Sequence, residues 1–439
     1  MMNEQQQLIK EAVYNRKGDF FTGLKSVMQI NSVKAKEVDG APFGQGAKDA
    51  VLKALEIAKS MGFETKMVNN AMGYAQWGND NEDYIGVVGH LDVVTEGTGW
   101  DYEPFDLTED DGILYGRGVL DNKGPIMSNL YALSVLKELG IKNNKTVRIV
   151  FGSDEESGSA DIPMYLAAEK APAYGYTPDC KYPAVYGERG VVGFDIVTTF
   201  SDNSLSQVKE FSGNFDRSSV PDTLKVELSN GSIVELSGKR APSNAPEMGE
   251  NVITLFALKD QTEELLTGEL HEYMSWLATS FHDKHSGEGV GATFSDEDSG
   301  SLQLTPYELK LENNQAILSI SIRYPISATE EDVISAITEN LFQNSEINVT
   351  RRMASTVFDK THPMINIMSD IYETCTGLDG TPVTTTGATY ARSMPNIIAF
   401  GPSFPGQKGI AHNKNEWMTV DDLMKNMEIY TLTLAELIK

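Results

Sequence analysis

The distribution of apolar residues in the first part of the chain predicts helices that alternate with buried strands. Residues 47–62 and 125–140 carry apolar side chains at helical spacing and each range ends with a glycine, which is typical of amphipathic helices. Residues 84–88 and 146–151 are short, almost wholly apolar runs, which indicate strands buried on both faces of a parallel sheet. The alternation predicts an α/β domain.

The middle of the chain has a different pattern, in which apolar and polar residues alternate with a period of two. Residues 224–228 and 232–236 flank Asn230-Gly231, which predicts a β-hairpin, and residues 316–323 predict another strand with one buried face. Residues 329–341 begin with a capping-box-like Thr329-Glu330-Glu331-Asp332 and continue as a helix. This section therefore reads as a separate α+β domain with an antiparallel sheet.

The two changes in pattern predict the division of the chain. We expect residues 1–189 and 356–439 to form one α/β/α domain with a central, mostly parallel sheet. Residues 190–355 should form an α+β domain inserted into it. The overall class is α/β.

Composition and charge exclude several classes of protein. The 439 residues carry a net charge of -27, which opposes binding to nucleic acid or to an anionic membrane surface. No run of 18 apolar residues predicts a membrane-spanning helix, and the N-terminus does not resemble a secretory signal. Two cysteines cannot build a disulfide framework, so the sequence favours a soluble protein of the reducing cytoplasm.

Polar residues at the carboxyl end of the strand at 84–88 are the first candidates for a functional site. His90 and Asp92 are two residues apart, so their side chains point to the same side, where ligands bind in α/β sheets. A neutral imidazole is a good metal ligand, and a carboxylate behind it can fix its orientation. A buried histidine with a satisfied hydrogen bond explains the same pattern.

Further candidate metal ligands lie at other predicted strand ends and loops. They are Asp121, Glu155, Glu156, Asp179 and His412. Each has a simpler interpretation: a helix cap for Asp121, a solvated pair for Glu155 and Glu156, a turn residue for Asp179, and an ordinary loop histidine for His412. Spacing alone leaves both interpretations open.

Five motifs in chain order distinguish these alternatives. They are Gly89-His90-Leu91-Asp92, Tyr115-Gly116-Arg117-Gly118 with Asp121-Asn122-Lys123-Gly124-Pro125, Asp154-Glu155-Glu156, Thr177-Pro178-Asp179 and Ala411-His412. Together they resemble the co-catalytic metallopeptidases of the M20 family, and in particular its dipeptidase V branch of carnosinase-like Xaa-His dipeptidases. The resemblance extends over nearly the whole chain.

The resemblance implies two divalent metal ions and a ligand for each position around them. Asp121 would bridge the two ions, His90 and Asp179 would complete one site, and Glu156 and His412 would complete the other. Oxygen and imidazole ligands suit zinc, with manganese or cobalt as alternatives. Cys180, next to Asp179, is interpreted as a plain buried thiol.

The resemblance also implies catalytic roles for two carboxylates. Asp92 would orient His90, and Glu155 would act as general base on a water that bridges the metal ions, which act together on a peptide carbonyl. The domain at 190–355 would correspond to the lid of the family. Arg323, at a strand end in that domain, would bind the carboxylate of a small peptide substrate, unless it is an ordinary surface arginine.

The lid region departs from the family where it would touch the substrate. Pro242 stands where the family usually has a histidine that stabilises the oxyanion, and Ser218 stands in place of a common asparagine. Apart from these departures, the resemblance implies a monomeric, two-metal dipeptidase. An N-acyl-amino-acid deacylase or desuccinylase of the same family, or a metal-binding pseudoenzyme with weak turnover, remains an alternative.

Overall fold

The computed structural model describes residues 2–80 and 82–439, which divide into two compact units. The first unit runs to Tyr186 and continues with Phe358–Val383 and Gly387–Lys439. The second unit comprises Gly187–Val357 and Thr384–Thr386. The predicted domain boundaries at residues 190 and 356 remain a prediction. The assignment of a catalytic role to one part of the chain and a lid role to the other remains one too.

The described residues form α-helices and short 3-10 turns in both units. The α-helices are α1 Glu4–Asn15, α2 Lys17–Met28, α3 Gln45–Ser60, α4 Lys123–Glu138, α5 Asp161–Leu166, α6 Val252–Glu263, α7 Glu269–Phe281, α8 Glu330–Thr338, α9 Pro363–Thr376 and α10 Val420–Leu437. The 3-10 turns are Glu155–Ser157, Ser204–Gln207, Pro246–Met248, Glu288–Val290 and Tyr390–Arg392.

The strands of the described residues are mostly short. They are β1 Glu64–Val68, β2 Met72–Trp77, β3 Tyr84–His90, β4 Thr108–Asp110, β5 Ile113–Tyr115, β6 Thr146–Gly152, β7 Tyr174–Thr177, β8 Cys180–Lys181, β9 Val185–Glu188, β10 Gly190–Thr199, β11 Val208–Gly213, β12 Thr223–Leu228, β13 Ile233–Ser237, β14 Ser295–Asp296, β15 Gly300–Ser301, β16 Gln303–Glu312, β17 Gln315–Tyr324, β18 Ser345–Met353, β19 Thr356–Val357, β20 Val383–Thr385, β21 Ile397–Ala399, β22 Pro402–Ser403 and β23 Trp417–Thr419.

The first unit is built on a mixed sheet whose inner strands are parallel. The strands follow the order β1-β2-β6-β3-β7-β21, in which β6, β3, β7 and β21 run parallel to one another, β2 is antiparallel to β6, and β1 is antiparallel to β2. Val88 of β3 packs in a cluster with Ala47 of α3 and Ile162 of α5, whereas the neighbouring Gly89 lies against Ile126 of α4. Because successive strand residues point to opposite faces, helices cover both faces of the sheet. The predicted α/β class with a central, mostly parallel sheet is confirmed.

The predicted elements of the first unit lie close to the observed ones. The helices predicted at 47–62 and 125–140 are α3 and α4, each beginning two residues earlier. The two apolar runs form β3 and β6, which continue through the polar His90 and through Gly152. The apolar pattern therefore located both strands, but the predicted strands end before the last residues of the observed ones.

The second unit combines two antiparallel sheets with helices around one apolar core. One sheet has the order β16-β17-β10-β18 and the other β11-β12-β13, and side chains from both sheets join α6, α7 and α8 in the core. The predicted hairpin is confirmed, since β12 and β13 pair across Asn230-Gly231. The capping box at Thr329 is confirmed too. The helix it starts ends at Thr338, so the predicted extension to residue 341 is wrong.

The composition argument concerned the two cysteines and the possibility of a membrane-spanning helix. Cys180 and Cys375 are both reduced thiols and only partly buried, so the interpretation of Cys180 as a plain buried thiol is wrong about its burial. In the described part of the chain, no helix combines the length and the hydrophobicity that crossing a membrane requires.

Candidate metal centre

Three adjacent parallel strands bring candidate ligands to one edge of the sheet in the first unit. His90 is the last residue of β3, Glu155 and Glu156 follow β6, and Asp179 follows β7. Because β3 lies between β6 and β7, the carboxyl ends of these strands are neighbours. Residues far apart in the sequence are therefore placed around one point.

Asp121 lies between two imidazoles. Its Oδ1 atom is 3.2 Å from Nε2 of His90, and its Oδ2 atom is 3.0 Å from Nε2 of His412. Asp121 ends the loop between β5 and α4, and His412 lies in the loop between β22 and β23 with a positive φ of 63°. The helix-cap interpretation of Asp121 is wrong, because Asn122 is the N-cap residue of α4 and its own side chain makes no capping hydrogen bond.

The remaining carboxylates face the same two imidazoles. Glu156 Oε2 is 3.0 Å from Nε2 of His412, Asp179 Oδ2 is 3.5 Å from Nε2 of His90, and Glu155 Oε2 is 3.9 Å from the same His90 atom. The side chains of Glu155 and Glu156 are only 13% and 8% exposed. The interpretation of these two residues as a solvated acidic pair is therefore wrong.

Asp92 holds both the imidazole and the acidic pair in place. The Nδ1–H group of His90 donates to the backbone carbonyl of Asp92 at 2.9 Å, and an Asp92 carboxylate oxygen is 3.5 Å from the same nitrogen. The Asp92 carboxylate accepts hydrogen bonds from the backbone N–H groups of Glu155 (3.2 Å) and Glu156 (3.1 Å). A proton on Nδ1 leaves the lone pair of Nε2 directed at the carboxylates.

The electrostatics of the cluster show that it concentrates negative charge in a buried place. Burial and then the charge of Asp179 raise the pKa of Glu155 well above its usual value. Burial and then the charge of Asp121 raise the pKa of Asp179 to about 7. Its contacts with Asp121 and Glu156 raise the pKa of His412 to about 11. Positive charge at the centre would relieve this repulsion.

The donor set fits divalent cations. Among the described residues, the buried Nε2 atom of His90 has no hydrogen-bond partner, although it faces three carboxylates. Ligands that are about 2.0–2.2 Å from one zinc ion lie about 3–4 Å from each other, which matches the spacing here. Two sets of side chains offer ligand atoms within 4.8 Å of one another, namely His90 with Asp121 and Glu156, and His90 with Glu155 and Asp179.

A comparison of the chain with protein families decides its membership. A sequence model described as "Peptidase family M20/M25/M40" matches residues 86–436, which is most of the chain. The chain belongs to this family. It is therefore a peptidase of the hydrolase class, and the predicted relationship to M20 metallopeptidases is confirmed.

Relatives of this peptidase match it over nearly their whole length. "Putative dipeptidase YtjP" of Bacillus subtilis (strain 168) is 29% identical, with 97% of this chain and 99% of that protein covered. "Beta-Ala-Xaa dipeptidase" of Lactobacillus delbrueckii subsp. lactis is also 29% identical, with 98% of each covered. The crystal structure of human carnosine dipeptidase 1 has the same fold, with a TM-score of 0.58, 15% identity and 99% of each chain covered.

Residues outside the predicted set support the loops of the peptidase that carry the ligands. The Asn122 side chain accepts the N–H group of His90 (3.3 Å) and donates to the carbonyl of Pro178 (2.5 Å), next to Asp179. The buried Asp161 carboxylate accepts the N–H group of Ser153 and the hydroxyl of Tyr390. Sequence pattern gave no sign of Asp161, since an acidic residue in a first helical turn is common.

The predicted substrate-contacting residues belong to the second unit. Arg323 lies in β17, opposite Val191 of β10. Pro242 pairs with Ser219 in an isolated β-bridge, and Ser218 donates its hydroxyl proton to Asp216 at 2.8 Å. The role of Arg323 in binding a substrate carboxylate remains a prediction.

Proposed function

We propose that this peptidase is a two-metal dipeptidase, with the first unit as its catalytic domain and the second as its lid. The observation that supports this most strongly is that the two carboxylate oxygens of Asp121 face two different imidazoles. The proposed ligands are Asp121 in the bridging position, His90 and Asp179 around one ion, and Glu156 and His412 around the other. Zinc is the proposed ion, with manganese or cobalt as alternatives.

When bound, two divalent ions would polarise the peptide carbonyl and lower the pKa of the attacking water. Glu155 is the proposed general base, which takes a proton from this water and delivers it to the leaving amine. Glu155 is farther from the His90 imidazole than Asp121 or Asp179 is, and this distance supports a free carboxylate there. Asp92 holds the backbone of Glu155, so it is the proposed orienting residue for the base as well as for His90.

The substrate class follows from the relatives and from the lid. Beta-Ala-Xaa dipeptidase is a relative over its full length, which supports a small peptide with a free carboxylate as the substrate. Arg323 is the proposed partner of that carboxylate, because a planar guanidinium binds it through two hydrogen bonds. The two cysteines are reduced thiols, which supports a location in the reducing cytoplasm. The protein is proposed to act there as a monomer.

The lid supports a modified way of stabilising the transition state. Pro242 has no side-chain donor and no backbone N–H group, so it cannot replace an imidazole at the oxyanion. Neighbouring donors have other partners: Arg240 pairs with Asp216 at 3.2 Å, and Asn244 donates to Thr386 at 3.1 Å. Loss of one oxyanion donor costs on the order of 10²–10³ in kcat, so activity on ordinary dipeptides should be weak.

A substrate panel with metal-reconstituted protein tests the proposal. Free dipeptides and N-acyl amino acids are offered in parallel to the wild type and to Pro242→His. Cleavage of dipeptides that increases in Pro242→His supports the dipeptidase. Preference for N-acyl amino acids would make the protein a deacylase, and metal binding without turnover in both proteins would make it a pseudoenzyme.

Metal analysis of ligand variants tests the site separately. His90→Ala and His412→Ala should each lose bound metal. Glu155→Gln is the control, because it should keep both ions. Unchanged stoichiometry in both histidine variants would overturn the ligand assignment.

A further inference from the structure

A buried glutamate outside the proposed ligand set lies behind the Asp121 loop. Glu416 is 1% exposed, four residues after His412 and directly before β23. Its Oε1 atom accepts hydrogen bonds from the backbone N–H groups of Leu120 (2.9 Å) and of Asp121 itself (3.0 Å). The carboxylate is therefore in direct contact with the peptide backbone that carries the proposed bridging ligand.

The second oxygen of Glu416 holds the beginning of the same loop. Oε2 accepts the backbone N–H group of Gly118 at 3.1 Å and the Nη1 group of Arg117 at 2.8 Å. Gly118 has a φ of +96°, a conformation that favours glycine, so the loop exposes its N–H groups to one point. Four donors converge on one carboxylate, and three of them are backbone groups of a single loop.

The position of Glu416 in the chain links two proposed ligands of the same ion. His412 and Glu416 belong to one short segment, and this segment continues into β23, which pairs with β5 just before the Asp121 loop. A change in the Glu416 contacts would therefore move the Asp121 loop relative to the segment that carries His412. Nε2 of His412 is 3.0 Å from Oδ2 of Asp121.

We propose that Glu416 is a positioning residue that sets the distance between Asp121 and His412, and so tunes the metal site that these two residues share with Glu156. The inference rests on the ligands proposed above. Residues behind metal ligands typically contribute about 10–100-fold to metal affinity, because they fix the orientation of the ligands.

A second buried glutamate in the first unit provides a matched control. Glu428 in α10 is also fully buried, and it pairs with Lys425 at 2.8 Å and Lys10 at 3.5 Å and accepts the hydroxyl of Tyr14 at 3.0 Å. All these partners are side chains, and none belongs to a proposed ligand loop. Glu428→Gln therefore disturbs a buried carboxylate of the same size without touching the metal centre.

The experiment is a zinc titration of the full-length wild type, Glu416→Gln and Glu428→Gln in competition with a chelator. In Glu416→Gln an amide NH2 group replaces one oxygen and faces donors, so half of the hydrogen bonds are lost. We expect the affinity for the ion that His412 would bind to fall about 10–100-fold, with a smaller fall for the other ion because Asp121 would bridge both, and we expect no change in Glu428→Gln. Raised zinc should restore turnover in Glu416→Gln.

Two results would overturn the inference. One is a folded Glu416→Gln protein that binds both ions as the wild type does. The other is an equal loss of affinity in Glu428→Gln, which would show that any buried carboxylate has this effect. If Glu416→Gln does not fold, Glu416→Asp replaces it in the titration, with Glu428→Asp as its control. If neither variant at 416 folds with zinc present, Glu416 serves folding and the inference is wrong.

His412→Ala in the same titration distinguishes this inference from the proposed function. If His412→Ala binds both ions, the proposed ligand set fails. If His412→Ala loses one ion while Glu416→Gln keeps both, the ligand set stands and only the positioning role of Glu416 is wrong.

Discussion

The two units of the molecule differ in what they bury. The first unit buries many charged side chains, among them His90, Asp92, Asp154, Asp161 and Glu416. In the described part of the second unit, the buried charged residues are Glu188, Arg189 and Asp260, and its core is an apolar cluster between two sheets and three helices. The first unit therefore holds many charged groups away from water, whereas the described part of the second unit buries few of them.

This difference has an energetic cost that falls on one unit. A buried charge without a partner destabilises a fold by several kcal/mol, and even a paired one often contributes little net stability. Burial and the like charges around them raise the pKa values of Glu155, Glu156 and Asp179, whereas contacts with His412 and His90 lower the pKa of Asp121. We infer that the buried carboxylates of the first unit lower its free energy of unfolding and are present because they place the proposed ligands. Variants in each unit can test this.

The largest effect should come from the proposed base in the first unit. Glu155→Gln keeps the size and most polar contacts of the side chain but cannot accept a proton, so kcat should fall on the order of 10²–10⁴. Steady-state kinetics with metal analysis measures both quantities, and the bound metal should stay at the level of the wild type. Glu156→Gln is the matched control and should lose metal. Loss of metal in Glu155→Gln, with retention in Glu156→Gln, would reverse the two roles.

A core substitution in the second unit should change stability and leave the metal centre alone. Leu277 of α7 is fully buried in the apolar cluster, so Leu277→Ala should lower the free energy of unfolding by about 2–5 kcal/mol. Urea denaturation measures the loss, and zinc affinity should be unchanged at temperatures where the protein is folded. A change in zinc affinity would contradict the separation of roles between the units.

The same contrast explains how much the sequence could predict. Period-two and helical patterns located the hairpin at Asn230-Gly231, the start of α8 at Thr329 and the strands β3 and β6, because apolar packing and local hydrogen bonds determine them. The candidate ligands were found through their motifs. Their convergence depends on the order β6-β3-β7, which brings residues 90, 155 and 179 together and cannot be read from local pattern.

The support of the site could not be predicted from local pattern at all. Glu416 is an acidic residue in a loop, and nothing in its neighbours in the sequence indicates that Leu120 and Asp121 donate to it. Asp161 gave an equally weak signal. Long-range hydrogen bonds to backbone groups leave no period in a sequence, so only the structure reveals them.

Stability against unfolding should change with pH in opposite directions for one aspartate of each unit. Burial raises the pKa of Asp161 in the first unit to about 7, whereas hydrogen bonds from Ser218 lower the pKa of Asp216 in the second unit. The unfolded value is about 3.9 for both. The contribution of Asp161 is therefore present below pH 4 and lost as the pH rises to about 7. The contribution of Asp216 is present above pH 4 and lost as the pH falls further.

Unfolding of Asp161→Asn and Asp216→Asn in a chelator, from pH 3 to 8, measures these contributions. Asp161→Asn should gain stability relative to the wild type between about pH 4 and 7, by at most about 4 kcal/mol for a shift of about three pKa units. Asp216→Asn should gain relative to the wild type only below about pH 4. A pH-independent difference for Asp161→Asn would show that its carboxylate does not titrate in this range.

The smallest effects should come from helix caps and should be equal in the two units. The Thr329 hydroxyl accepts the N–H group of Asp332 at 3.2 Å at the start of α8, and the Thr419 hydroxyl accepts that of Asp422 at 2.9 Å at the start of α10. Replacing either threonine with alanine removes one such bond and should lower the free energy of unfolding by about 1 kcal/mol. The cap at Thr329 was predicted from the sequence, because a cap depends on residues three positions apart. Thermal unfolding of the two variants measures the loss, and kcat and zinc affinity should not change in either. A fall in zinc affinity in Thr419→Ala would show that the segment from His412 to α10 moves as one piece with the metal centre.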